Sequence, residues 1–203
     1  MVFGQKRPYI RFEYEGRGMV GHNAYQLLET AAGVAAIGWM DGAITSLRLP
    51  APTALETERS ILRRLPGAVR AEPPAEIAAV IDAAIRYFDG EQIEFFEIPV
   101  DPGQQPPFFA RVYAFVRTLG WGETTTYGAV AQALDAGPEH ARAVGQAMAT
   151  NPIPLIIPCH RVLAAGGKIG GFSAPGGSMS KARMLELEGV AIAVAPAQQG
   201  FDF

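Results

Sequence analysis

Two apolar runs, Val34–Met40 and Ala43–Leu49, flank the dipeptide Asp41-Gly42. Asp-Gly accepts the positive φ angles of a type I′ turn, so the pattern predicts a β-hairpin. Thr57–Leu65 fits a short helix ahead of Pro66-Gly67, and Glu72-Pro73-Pro74 opens a second. Along that second helix Ile77, Val80, Ile81, Ala84, Ile85 and Phe88 recur at helical spacing until Asp89-Gly90. Ile93–Val100 reads as a further strand. Asp101–Pro107, with Pro102, Gly103, Pro106 and Pro107, reads as a linker and a domain boundary.

Past the linker the period is helical. Phe109, Val112, Val116 and Leu119 form one stripe, closed by Gly120. Thr124–Thr126 can cap a short helix that begins at Tyr127, with Val130 and Leu134 on one side. The turn Asp135-Ala136-Gly137-Pro138 leads into another helix ending near Ala149, which makes a helix-turn-helix pattern. On that second helix Ala141, Val144, Gly145 and Met148 gather toward the core, while Arg142, Ala143, Gln146 and Ala147 face outward. A merely solvated face usually carries several Lys and Glu residues. This one is low in profile, so a large partner can approach its backbone while Arg142 projects. An Ala-rich helix with a solvent arginine is the competing reading.

Composition limits the possibilities. The chain has 203 residues, 49% hydrophobic and 18% charged, which supplies a core for one generous domain or two small ones and excludes disorder throughout. No apolar run reaches the ~18 residues of a membrane span. Charges interrupt Met1–Gly18, so it does not read as a signal peptide. One cysteine excludes an intramolecular disulfide and a multi-thiolate zinc site, and three histidines supply a metal centre poorly. These features predict a soluble, cytoplasmic protein. The net charge of −3 argues against a strongly basic nucleic-acid binder, yet Ala141–Arg183 contains five bases and no acid.

The cysteine lies in Asn151-Pro-Ile-Pro-Leu-Ile-Ile-Pro-Cys-His-Arg-Val162. Cys159 follows a buried-type run, Leu155–Ile157, that Pro158 breaks, and His160 and Arg161 beside it can both lower a thiol pKa. In extended chain, however, neighbouring side chains point apart, so Cys159 and His160 would need a turn or a bridging water to share a proton. A buried, inert thiol is the alternative. Ser180–Leu187 fits a helix closed by Gly189, and Glu188 falls within its apolar stripe at the unfavourable end of the helix dipole. A carboxylate there wants a partner, and Cys159–His160–Glu188 has the order of nucleophile, base and orienting acid. An exposed Glu on a frayed last turn is the plainer reading. Six glycines crowd Gly166–Gly177, around Phe172 and Ser173. This loop lacks the strand and helix that flank a phosphate-binding loop.

These segments together resemble the O6-alkylguanine-DNA alkyltransferases, the methylated-DNA–protein-cysteine methyltransferases. The resemblance covers about Tyr87–Val190. It rests on Gly122-Glu-Thr-Thr-Thr-Tyr127-Gly, Ala141-Arg142-Ala-Val-Gly-Gln-Ala-Met148, the Asn151–Val162 segment and Leu185-Glu-Leu-Glu-Gly189. It implies an α+β fold. A small N-terminal sheet-plus-helix, RNase H-like domain (1–100) is followed by a linker (101–107). A mainly helical, DNA-binding domain (108–192) with the active-site cysteine and a tail (193–203) complete the chain. The implied activity is single-turnover transfer of an alkyl group from a flipped O6-alkylguanine, mainly O6-methylguanine, to Cys159, without cofactor or metal.

In the implied roles His160 and Glu188 activate the thiol through a water, Asn151 holds the turn before it, and Tyr127 donates to the departing guanine. Arg142 enters the duplex from the minor groove, with Ala141, Gln146, Thr126 and Arg161 as further DNA contacts. Met148, Pro154, Phe172 and Ser173 line the base pocket. The implied partner is double-stranded DNA, and the implied state a monomer. Phe172 stands where the family often has tyrosine, Phe109 where it often has glutamine and Tyr113 where it often has tryptophan. Three rivals remain. An alkyltransferase-like DNA-binding protein lacks the acceptor thiol, a cysteine hydrolase would turn over repeatedly, and a transcription regulator would need an effector domain.

Overall fold

The computed structural model describes residues 22–191, and the readings for Met1–Gly18 and Ala193–Phe203 lie outside that span. The architecture is mixed α+β. Strands β1 (Ala24–Thr30), β2 (Gly33–Met40) and β3 (Ala43–Ala51) form an antiparallel meander. Strand β4 (Val69–Arg70) joins β1 in parallel, giving the order β3-β2-β1-β4. Asp41 and Gly42 form the β2–β3 turn with φ of 50° and 77°, the left-handed values that the dipeptide predicts. Strand β1 was not predicted. It buries only Tyr25 and Leu28 of seven residues, too sparse a pattern to stand out.

Burial with a period of two along β2 divides the sheet into two faces. Ala35, Ile37 and Trp39 enter the main core, while Ala36 meets Tyr25, Ile61 and Leu65 on the opposite face. Helix α1 (Ala54–Arg64) covers that opposite face. It starts earlier than predicted because the Thr53 hydroxyl accepts from the Glu56 N–H and caps the first turn. Gly38 makes the packing possible, since a Cβ there would collide with Leu65. Helix α2 (Ala75–Phe88) supplies Ile77, Val80, Ile81, Ala84 and Phe88 to the main core, as its spacing predicts.

Ile93–Val100 is not a strand, contrary to its pattern. It touches the sheet through a single bridge between Val100 and Ile44. The fully buried guanidinium of Arg117 instead receives its carbonyls, donating to Phe95, Phe96 and Ile98 at 3.2, 3.0 and 2.8 Å. A side chain thus does the work of a neighbouring strand, and no local pattern announces that.

Helix α3 (Pro107–Val116) buries Val112, Tyr113 and Val116, with Phe109 and Leu119 half-buried beside them. Helices α4 (Tyr127–Ala133) and α5 (Ala141–Ala149) form the expected helix-turn-helix. The turn passes through Asp135 and Gly137 at positive φ and one 3₁₀ turn, Pro138–His140. Ala147, assigned above to the outward face of α5, is fully buried. Helix α5 is packed by both α3 and α4, so its buried arc is wider than one stripe, and the Tyr113 hydroxyl donates to the Ala147 carbonyl at 3.0 Å. The main core continues from Leu28 of the sheet to Met184 of α6 (Gly177–Leu187).

Candidate active site

Residues 151–163 are all buried, yet only Val162–Leu163 are strand. Asn151 folds the rest into a tight loop. Its Nδ2 donates to the Ile157 carbonyl at 2.8 Å and its Oδ1 accepts from the Ile153 N–H at 3.0 Å. Strand β3 anchors the loop from outside: the Leu47 N–H, the Ser46 hydroxyl and the Arg48 guanidinium all donate to the Pro152 carbonyl, at 3.0, 3.2 and 3.3 Å. The sheet therefore sets the position of the cysteine segment. Pro158 then ends the loop, and Cys159–Arg161 form one turn of 3₁₀ helix rather than extended chain. Three residues per turn send successive side chains about 120° apart. Cys159 consequently faces the cavities while His160 and Arg161 turn to the other side.

His160 and Arg161 both reach Glu188, which is the C-cap of α6 and is buried. His160 Nε2 lies 2.8 Å from Glu188 Oε1. Arg161 grips both oxygens, Nε to Oε2 at 2.9 Å and Nη2 to Oε1 at 2.8 Å, while its Nη1 donates to the Leu119 carbonyl at 2.5 Å. The Tyr87 hydroxyl adds a bond to Oε1 at 2.9 Å and the Gly122 N–H one to Oε2 at 3.2 Å. Burial alone would push the Glu188 carboxyl up. The hydrogen bonds from His160 and Arg161, with their charges, overcome it and hold the group at about 2. The imidazole is fully buried, which lowers its pKa in spite of Glu188, and its Nδ1 has no hydrogen-bond partner among the described residues.

The thiol itself differs from expectation. Burial raises its pKa, and the Asn151 amide, the Lys181 ammonium and the backbone N–H groups of Cys159 and His160 pull it back in part. Lys181 is wholly buried; its Nζ donates to the Val162 carbonyl at 2.5 Å and stands 5.6 and 5.9 Å from the ring centres of Tyr127 and Phe172. Burial lowers its pKa to about 8, against the opposing pull of Cys159.

Cys159 lines two cavities. One, of about 410 Å³, is shared with Tyr127, Gly145, Met148, Phe172 and Ser173. The other, of about 240 Å³, adds Asn151 and Pro154 and extends toward β3 and α1. Tyr127 is tied to the cysteine turn by the parallel pair β5 (Thr125–Thr126) and β6 (Val162–Leu163), and Thr126 caps α4 by accepting from the Ala129 N–H. The Ser173 hydroxyl donates to the Ala149 carbonyl at 2.7 Å, closing the Gly-rich loop over α5.

Nearly all the anticipated side chains thus converge. Ala141 is half-buried, and Arg142 and Gln146 are exposed on α5. Arg161 is the correction. It is buried, and its guanidinium is taken up by Glu188 and Leu119, which removes it from any DNA-facing surface and from the thiol. Two residues went unnoticed. Lys181 was legible, since it shares a helix face with Met184, Leu185 and Glu188. Tyr87 was not, because its partner lies 101 residues away.

Comparison with known proteins identifies the family. Residues 107–190 match the family model described as 6-O-methylguanine DNA methyltransferase, DNA binding domain. The methylated-DNA–protein-cysteine methyltransferase of Metallosphaera sedula is 45% identical over 108 residues, 53% of this chain and 65% of that protein. The one from Mycolicibacterium paratuberculosis is 34% identical over 164 residues, 81% of this chain and 91% of its own length. The chain belongs to the methylated-DNA–protein-cysteine methyltransferase family. The crystal structure of Mycobacterium tuberculosis OGT in complex with DNA superposes with a TM-score of 0.65 at 32% identity, covering 81% of this chain and 92% of that one. The family likeness therefore extends through the sheet half, well before Tyr87, where the resemblance read from the sequence begins.

Proposed function

We infer that this protein repairs duplex DNA by moving the alkyl group of O6-alkylguanine, chiefly O6-methylguanine, onto Cys159. The observation that carries this reading is the place of the thiol, in the wall of a 410 Å³ cavity that also contains Tyr127 and Gly145 of the helix-turn-helix. A stacked guanine cannot meet that sulfur, so the nucleotide must leave the duplex. Arg142, exposed on a low-profile α5, replaces it in the stack from the minor-groove side, flanked by Gln146 and Ala141. Met148, Phe172 and Ser173 line the space for the base, and Pro154 the space beside it.

The proton route follows from the network. Cys159 passes its proton through one water to His160 Nδ1, the buried nitrogen without a protein partner. Glu188, ionised at neutral pH, stabilises the resulting imidazolium. The sulfur attacks the alkyl carbon, the S–C bond forms as C–O6 breaks, and guanine leaves with the electron pair. Tyr127 donates the proton guanine needs. Burial raises its pKa, so it keeps that proton at neutral pH until a strong base arrives. A thioether does not hydrolyse readily, so each molecule acts once. No cofactor enters, and the protein works as a monomer in the cytoplasm.

Intact-mass measurement after incubation with a duplex containing O6-methylguanine tests this. One alkyl mass appears per molecule, and peptide mapping assigns it to Cys159. Product in excess of protein would favour a cysteine hydrolase, and absence of the adduct would overturn the reading.

A further inference from the structure

We propose that Tyr87 is a positioning residue of the transfer reaction: its hydroxyl tempers the pull of Glu188 on His160 and keeps the imidazole free to accept the thiol's proton. The proposal rests on the alkyl-transfer reading above and deepens it. A base that is already charged takes no proton. A bare carboxylate 2.8 Å from Nε2 favours the charged imidazole, which leaves Cys159 without an acceptor.

Glu188 is not bare. His160 Nε2, Arg161 Nη2 and the Tyr87 hydroxyl reach the same oxygen, Oε1, at 2.8, 2.8 and 2.9 Å. Each donor draws on the charge of that oxygen, so Arg161 and Tyr87 weaken its hold on the imidazole. Arg161 does so with a full charge. Tyr87 does so with a neutral dipole, which can be removed without stranding a buried ion. Its ring is fully buried in the last turn of α2, edge-on to Phe88 and Trp121 at 5.2 and 5.4 Å and tilted against Phe95 at 6.1 Å. That cage fixes where the hydroxyl points. Burial and the neighbouring carboxylate raise the Tyr87 pKa above the usual tyrosine range, so the hydroxyl stays a donor. Its oxygen stands 3.4 Å from Nε2, too long to compete with Glu188 for the imidazole N–H. From α6 His160 faces Glu188 and Lys181, from its own turn Arg161 and the Cys159 thiol, and from α2 Tyr87. Both cations disfavour the imidazolium, and the hydroxyl works in the same direction through Glu188.

The test follows single-turnover methyl transfer across pH and the titration of the His160 imidazole by nitrogen NMR, in the natural protein and in Tyr87→Phe. Phenylalanine keeps the ring in its cage and removes only the hydroxyl. The imidazole of Tyr87→Phe should titrate about one pH unit higher, and the acid limb of the transfer profile should rise with it. The sign follows from the site: without the hydroxyl, Oε1 holds the imidazolium more firmly, so a higher pH is needed to free Nδ1. Replacing Tyr87 by a ring-fluorinated tyrosine keeps the hydroxyl in place as a stronger donor and should move both midpoints the other way. A uniform fall in rate with unmoved midpoints would make Tyr87 a packing residue and overturn the proposal. Midpoints that move down in Tyr87→Phe would overturn it as well. Failure of the natural protein to take a methyl group would instead defeat the alkyl-transfer reading, and this role with it.

Discussion

Along β2, Ala35, Ile37 and Trp39 meet hydrocarbon in the main core, and the strand's hydrogen bonds run to β1 and β3. Along Cys159–Arg161, three equally buried residues meet a cavity and one shared carboxylate, with side-chain bonds in place of a ladder. Burial is the same in both regions, but the forces differ. In the sheet, stability is spread over many contacts that each accept a similar shape. In the cysteine turn it rests on a few charges, each expensive if left alone. The second region borrows its position from the first, through the Pro152 carbonyl that β3 holds.

The sharpest way to separate the two is Glu188→Gln. It strands the buried Arg161 and is expected to cost about 3–5 kcal/mol in urea unfolding at pH 7. It should slow transfer too, because His160 loses its stabilising carboxylate. A loss below 1 kcal/mol would erase the contrast between the regions. The same group predicts a pH signature. Its folded pKa of about 2 lies below the unfolded value of ~4.3. Its contribution is therefore complete above ~4.3, drains as the pH falls toward about 2, and should be absent from the acid unfolding curve of Glu188→Gln.

Next in size is Lys181→Gln. Removing the cation leaves the desolvated thiol with less compensation, so the pH profile of single-turnover transfer should move to higher pH. An unmoved profile would mean that Asn151 and the backbone N–H groups alone set the sulfur's ionisation. Thr126→Ala removes the α4 cap, and about 1 kcal/mol of stability should go with it. Because Tyr127 begins that helix, transfer should also slow. The smallest effect on transfer belongs to the sheet. Ile37→Val should cost about 1 kcal/mol and leave the transfer rate per folded molecule unaltered. A rate change there would show that the sheet transmits more than position.

Local pattern carried much of this. The Asp41-Gly42 turn, the stripe of α2, the Thr126 cap and the helix-turn-helix are short-range features that a few residues specify. The failures share a cause. Ile93–Val100 has the composition of a strand, but its carbonyls belong to Arg117. Arg161 sits next to the cysteine in the chain, yet the 3₁₀ turn aims it at Glu188. Ala147 lies outside the apolar stripe of α5, and two neighbouring helices bury it all the same.

From the chain alone came the acceptor thiol, its histidine, an anomalous carboxylate at Glu188 and the exposed arginine of α5, because residue type and helical period reveal them. Only the folded molecule decided which charges meet and which way each turn points. It raised the thiol's pKa by burial where adjacency in sequence suggested the reverse, and it placed Lys181 and Tyr87 at the site. The reason is physical: desolvation and hydrogen bonding depend on what surrounds a group in space, and most of what surrounds Cys159 comes from segments distant in sequence.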